Sequence, residues 1–194
     1  MCNNFGARRG SLPDAVRTPS DEGFFGASPR RDMWIQPEEN WNLFDPDILR
    51  WLLNRRLSLP LLTELTEIRL AIEPVAAALA AQSATRRERT ELVADIARIV
   101  AAERGDDEFV SANIAFHDHI MQATRNRFFA QLTTLIDTAL RSSLRWMGNS
   151  DGVEVTRHLK AVAAAVVDSD ASSAEAGMRK LIQYELDLIH AKMP

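Results

Sequence analysis

Two of the chain's four histidines, His117 and His119, lie in the stretch NIAFHDHIMQATRN at 113–126. An imidazole in such a run can line a core, hold a metal or act as a general base. At 100° per residue, Phe109, Phe116 and Ile120 form one apolar stripe, with Asn113 in its middle and His117 at its edge. His119 falls on the other margin and Asp118 points away. Asn113 and His117, four residues apart, therefore face the same interior. Three further polar residues stand on or beside apolar stripes elsewhere: Arg69 among Leu65, Ile68, Ile72 and Ala76; His158 beside Val155, Val162 and Val166; Glu185 among Met178, Leu181, Ile182 and Ile189.

Each of these has an ordinary explanation. An interior histidine or asparagine needs only hydrogen-bond partners. An arginine can run its stem to the surface, and Glu185 can simply pair with it. Several inward polar groups from four helices are costly together, however, unless something satisfies them. Ligand and metal sites in helical bundles are built in this way, so the combination favours a binding site.

The elements that must position these residues read as helix after helix. Asp45 caps a helix with Pro46 at its first position and Leu49, Leu52 and Leu53 on one face. A second helix runs from about Leu61 to Gln82. Thr85 with Glu88 forms a capping box for a third, ending near Gly105. Asp106 or Asp107 opens the fourth, Asn126 interrupts, and a fifth continues to about Met147. Asp151 with Glu154 caps the sixth, and the seventh spans about 171–192. The expected fold class is all-α, an antiparallel bundle of six to seven helices. Residues 1–32, with half of the chain's glycines, read as an irregular head. Residues 33–59 form a linker with a short strand, MWIQP at 33–37, and a short helix. The bundle itself covers 60–192.

Composition narrows the function. A net charge of −4 gives no basic footprint for reading nucleic acid. The single cysteine, Cys2, excludes an internal disulfide framework and fits a reducing compartment. No apolar run reaches the roughly 20 residues that span a membrane, and the N-terminus lacks an apolar signal core. A cytoplasmic protein is expected. No Gly-rich phosphate loop and no nucleophile–base–orienter set is visible, which argues against an enzyme.

Three segments in this order, LTEIRLAIEPVAAALAAQSAT at 65–85, NIAFHDHIMQATRN at 113–126 and HLKAVAAAVVDSDASSAEAGMRKL at 158–181, resemble the C-terminal effector-binding (FCD) domain of GntR-type bacterial transcription regulators of the FadR subgroup. The lead-in WNLFDPDILRW at 41–51 resembles regulators of sugar-acid (aldonate) catabolism, galactonate in particular. The resemblance implies a helical bundle that binds a small organic acid, a sugar acid by the lead-in, and often a divalent metal such as zinc held by one aspartate and three histidines. The family's Asp-x-x-x-His motif reads Asn113-x-x-x-His117 here. The third ligand position falls on His158 and the fourth on Leu181, so two of the four are replaced and a firmly held metal is not expected. Glu185, one turn beyond Leu181, offers a substitute carboxylate. Arg69 matches the arginine of the family's E-x-R-x-x-x-E motif and suits a two-pronged grip on a carboxylate. Thr124 and Asn126 match the polar turn after the histidine helix; they line the site or cap a helix.

The family's winged helix-turn-helix has no counterpart in the first 32 residues, so DNA binding by this chain alone is not expected. Pairing as a homodimer, or as a heterodimer with intact homologues, is expected instead, with Leu140, Leu144 and Trp146 as a candidate pairing face. The competing functions are a metal-dependent or histidine-based enzyme acting on a small carboxylate, and a purely structural pairing module.

Overall fold

The computed structural model describes residues 25–28, 31–35, 37, 40–55, 59–103, 106–144 and 149–193. The chain divides after Arg55 into two units. In the first, β1 (Phe25–Ser28) pairs antiparallel with β2 (Arg31–Ile35), Phe25 opposite Ile35 and Ser28 opposite Arg31, with a register irregularity between Gly26 and Ser28. The head was expected to be irregular, yet it holds β1 and the start of β2. Four residues that include a glycine are too few to show an alternating pattern. The remaining part of that expectation, residues 1–24, lies outside the described residues. Then follows α1 (Pro46–Arg55), whose first turn is closed as expected: Asp45 Oδ1 accepts from the amides of Asp47 and Ile48, both at 2.9 Å. Trp41 and Trp51 meet edge to face, ring centroids 5.8 Å apart.

The second unit is an all-α bundle of α2 (Leu59–Ser83), α3 (Arg86–Ala101), α4 (Asp107–Ala123), α5 (Arg127–Gln131), α6 (Thr133–Leu144), α7 (Asn149–Val167) and α8 (Ala171–His190). No helix among the described residues is long and apolar enough to cross a membrane. The long α2 is its centre and packs against α4, α6, α7 and α8. Its buried alanines at 76, 77, 80 and 81 let these neighbours approach closely. The capping box of Thr85 and Glu88 is formed in full. Asp106 and Asp170 cap α4 and α8 through the amides of Phe109 and Ser173. Arg89 ties two helix ends together: its guanidinium donates to the carbonyls of Ala81 and Ala84 at the end of α2 and of Val167 at the end of α7. Ser169, with φ of 62°, turns the chain out of α7 in the left-handed conformation, and its hydroxyl accepts from the same arginine.

Two sequence expectations shift. The stretch from Asn126 to Met147 holds two helices rather than one among the described residues, with the break at Leu132, whose amide donates to the Phe129 carbonyl. The sixth expected helix begins upstream of Asp151, at Asn149, leaving Asp151 in the first turn as a favourable charge. Leu140 and Leu144 are buried in the bundle core and offer no pairing face; Trp146 lies outside the described residues.

Candidate functional site

Where α2, α4 and α8 meet, three acidic and basic residues and a histidine are buried together. Arg69 on α2 donates from Nε to Glu73 Oε1, one turn on, at 2.6 Å, and from Nη1 to Glu185 Oε2 on α8, also at 2.6 Å. All three side chains are about 1 % exposed. Glu73 Oε2 is hydrogen-bonded to His117 Nδ1 on α4. An ionised carboxylate can only accept, so Nδ1 carries the hydrogen of that bond. The His117 ring stands edge-on to Phe116, 5.8 Å between centroids.

The electrostatics follow from the packing. Burial pushes the Glu73 carboxyl up, but the charges of Arg69 and His117 and the hydrogen bonds from both outweigh it and hold the group at about 2. Burial likewise pulls Arg69 down, and the facing Glu185 and Glu73 raise it above its ordinary value. Two carboxylates thus share one guanidinium in a site about 1 % exposed. Burying such a set is not an efficient way to stabilise a fold, since well-packed apolar side chains of similar volume do as well or better.

Three polar atoms of this region have no hydrogen-bond partner among the described residues: Arg69 Nη2, Glu185 Oε1 and Asn113 Oδ1. Asn113, one turn before His117 and fully buried, uses its amide Nδ2 on the Phe109 carbonyl of its own helix at 2.7 Å. Its oxygen is left free to accept.

Of the residues read from sequence, Arg69, His117 and Glu185 come together in one network and Asn113 lies one turn away. Thr124 and Asn126 do not join them. Thr124 donates to the Met121 carbonyl at 2.7 Å and ends α4; Asn126 is exposed and caps α5 through the Phe128 amide at 3.0 Å. His158 sits at the margin, half-buried, its ring tilted against Tyr184 with centroids 5.9 Å apart and its Nε2 3.3 Å from Arg157 Nη2. Burial and the Arg157 cation lower its proton affinity, against the pull of Glu154 and Glu185. Glu73 was missed. Its signal was present, because a glutamate four residues after Arg69 on one helix face is an ion-pair spacing.

These donors do not fit the metal that the resemblance implies. Among the described residues, no three His, Cys, Asp or Glu side chains form a group that could hold an ion. Glu73 holds His117 by Nδ1, an arrangement compatible with a metal on the other nitrogen, but Asn113 and Leu181 stand at two of the four ligand positions, Arg69 takes up the Glu185 carboxylate, and His158 Nε2 lies beside Arg157. Nearer the surface, His119 Nδ1 meets Asp95 Oδ2 at 2.5 Å, and Arg98 bridges Asp95 and Glu108. Burial raises the Asp95 carboxyl despite its two partners.

The FCD domain model matches residues 64–184. The Galactonate operon transcriptional repressor of Escherichia coli (strain K12) is 25 % identical over 178 residues, covering 90 % of this chain and 78 % of the relative. The HTH-type transcriptional regulator YieP of the same organism is 23 % identical over 181 residues, covering 92 % and 78 %. Among solved structures, E. coli McbR/YncC matches with a TM-score of 0.64 at 13 % identity, covering 98 % of this chain and 84 % of that one. Streptococcus agalactiae GntR matches with a TM-score of 0.55 at 18 % identity, covering 96 % and 85 %. These structural likenesses show the fold; the family match spans well over half of the chain. The chain belongs to the FCD domain family, the effector-binding domains of GntR-type transcription regulators, which are regulators and not enzymes.

Proposed function

We propose that this chain is the sensing and pairing part of a cytoplasmic transcription regulator whose effector is a small organic acid, a sugar acid by its likeness to a galactonate operon repressor. The effector binds in the bundle interior beside Arg69, Asn113, His117 and Glu185, with His158 at the margin. The observation that carries this reading is the buried network, three of whose polar atoms have no hydrogen-bond partner among the described residues. A core needs none of them, whereas a recognition site needs polar groups held rigidly by packing. Glu73 and Glu185 fix Arg69 from two sides, so the site is set before a ligand arrives. No metal takes part in binding.

Thermal unfolding of the purified protein against a panel of sugar acids and other small carboxylates, each with zinc and after chelation, tests this. The reading requires a raised midpoint with at least one sugar acid, unchanged by chelation. A flat panel contradicts the effector, and a shift that needs zinc contradicts the metal-free site.

Pairing uses the outward face of α3. Val93 and Val100 are 52 % and 50 % exposed, with exposed Thr90, Ala94 and Ala97 on the same face. Glu91 and Arg98 flank it on one side. A second copy running antiparallel sets Glu91 of each protomer opposite Arg98 of the other, the self-complementarity that a two-fold interface needs. The same face serves a second copy of this chain or a homologue.

A further inference from the structure

We infer that the two ends of the α3 face choose its partner: a second copy of this chain, antiparallel, with the cationic start of each helix against the acidic turn that follows the other. This rests on pairing through α3 and specifies which partner the face takes and which way it runs. The apolar patch does not decide that, since valines and alanines pack alike in either direction. Charge does. Arg86 and Arg87 open α3 and are exposed, and Arg86, Val93 and Val100 follow at intervals of two helical turns, so these three share one face. Glu88, the acid of that first turn, is taken by Thr85 and by Arg125 at 2.6 Å, and does not offset Arg86. Arg87 meets Glu91 only loosely, at 3.6 Å. Just past the other end of α3, Glu103, Asp106 and Asp107 are exposed.

Within a single chain these charges are badly placed. Arg86 and Arg87 sit where the helix dipole is positive, and Glu103 lies just beyond the end where it is negative. The side chains of Arg86 and Glu103 have no partner among the described residues. A second copy resolves both. The register that sets Glu91 opposite Arg98 also brings Arg86 of one protomer level with Glu103 of the other, because each lies an equal step outward along the chain. The two-fold axis repeats the contact, so a dimer makes it twice. A parallel partner would lay arginines on arginines and acids on acids, which costs affinity instead of adding it.

Sedimentation velocity of the full chain and two charge-reversed variants, Arg86→Glu and Glu103→Arg, tests the inference. Each variant alone puts like charges level at both contacts and is expected to dissociate about tenfold more readily than the wild type. An equimolar mixture of the two restores opposite charges at both contacts and is expected to recover wild-type association, which misfolded variants could not do. The double variant Arg86→Glu, Glu103→Arg is expected to recover it by itself. The wild-type dimer is expected to weaken as salt rises towards about 1 M, where the screening length falls to about 3 Å. Single variants that pair as well as the wild type, or a mixture no better than its parts, overturn the inference. If Val93→Asp still disrupts the dimer in that case, the α3 face stands and only its ends are misassigned. Growth beyond a dimer with concentration shows head-to-tail contact and overturns the two-fold arrangement. A wild type that stays monomeric at every concentration overturns both the inference and pairing through α3.

Discussion

Arg69 on α2 and Glu185 on α8, 116 positions apart in the chain, meet at 2.6 Å with both side chains about 1 % exposed. This contact joins the two helices that frame the interior site and makes one cation answer to two carboxylates. Replacing Arg69 by methionine strands Glu185 in the core, leaves Glu73 with His117 alone, and is expected to cost about 3–5 kcal/mol in urea unfolding. The triple variant Arg69→Met, Glu73→Gln, Glu185→Gln is expected to recover most of that loss. Equal losses in the two variants would show that shape, and not charge, is what Arg69 supplies.

Acid sensitivity follows from Glu73. Its folded-state value of about 2 lies below the ordinary 4.5, so the folded chain stays ionised where the unfolded chain takes up a proton. The resulting stability is fully present above about pH 4.5 and is lost as the pH falls from there towards 2. The amount is on the order of 3 kcal/mol for a shift of this size. Denaturation midpoints measured between pH 6 and pH 3 should fall more steeply for the wild type than for Glu73→Gln, and parallel curves would refute the assignment.

Arg89 should matter more than its partly exposed position implies. Its guanidinium closes the carbonyl ends of α2 and α7 at once, so Arg89→Ala is expected to cost about 2 kcal/mol, as charged hydrogen bonds to carbonyls do. Arg98→Ala, in a pair 44 % exposed, should cost less than about 1 kcal/mol. Thermal unfolding of the two variants side by side gives the comparison, and an equal loss contradicts the clamp.

The pairing surface separates from the core by mutation. Val93→Asp and Val100→Asp, on an exposed face, should turn dimers into monomers in sedimentation velocity while changing unfolding stability by no more than about 0.5 kcal/mol. Leu140→Ala, fully buried, should instead cost about 2–5 kcal/mol and leave association alone. Dimers that survive both aspartates would place the interface elsewhere.

Most of this architecture is legible in the residue pattern because it depends on local signals. The caps at Asp45, Thr85 and Asp106 act within one turn, and the apolar stripes put Arg69, Asn113, His117 and Glu185 inside. The particular partners were not legible. The spacing of Arg69 and Glu73 shows their pairing but not that Glu73 also meets His117 on α4, and His158 is drawn aside by Tyr184 on α8 and by its neighbour Arg157. Thr124 and Asn126 have capping and lining roles that look alike in sequence, and the turn decides for capping. Strand β1 carries too short a pattern to stand out from its surroundings, and the one-residue break at Leu132 between α5 and α6 leaves no mark in the residue types.

The most direct test of the account is the thermal unfolding midpoint with galactonate, in the wild type and in Asn113→Ala, at saturating ligand and after chelation. Ligand at about 100 times its dissociation constant adds roughly 2.7 kcal/mol, a readily measured rise. The account predicts that rise in the wild type, its persistence without metal, and its loss in the variant. No rise with galactonate or any other sugar acid, or the same rise in Asn113→Ala, would contradict it.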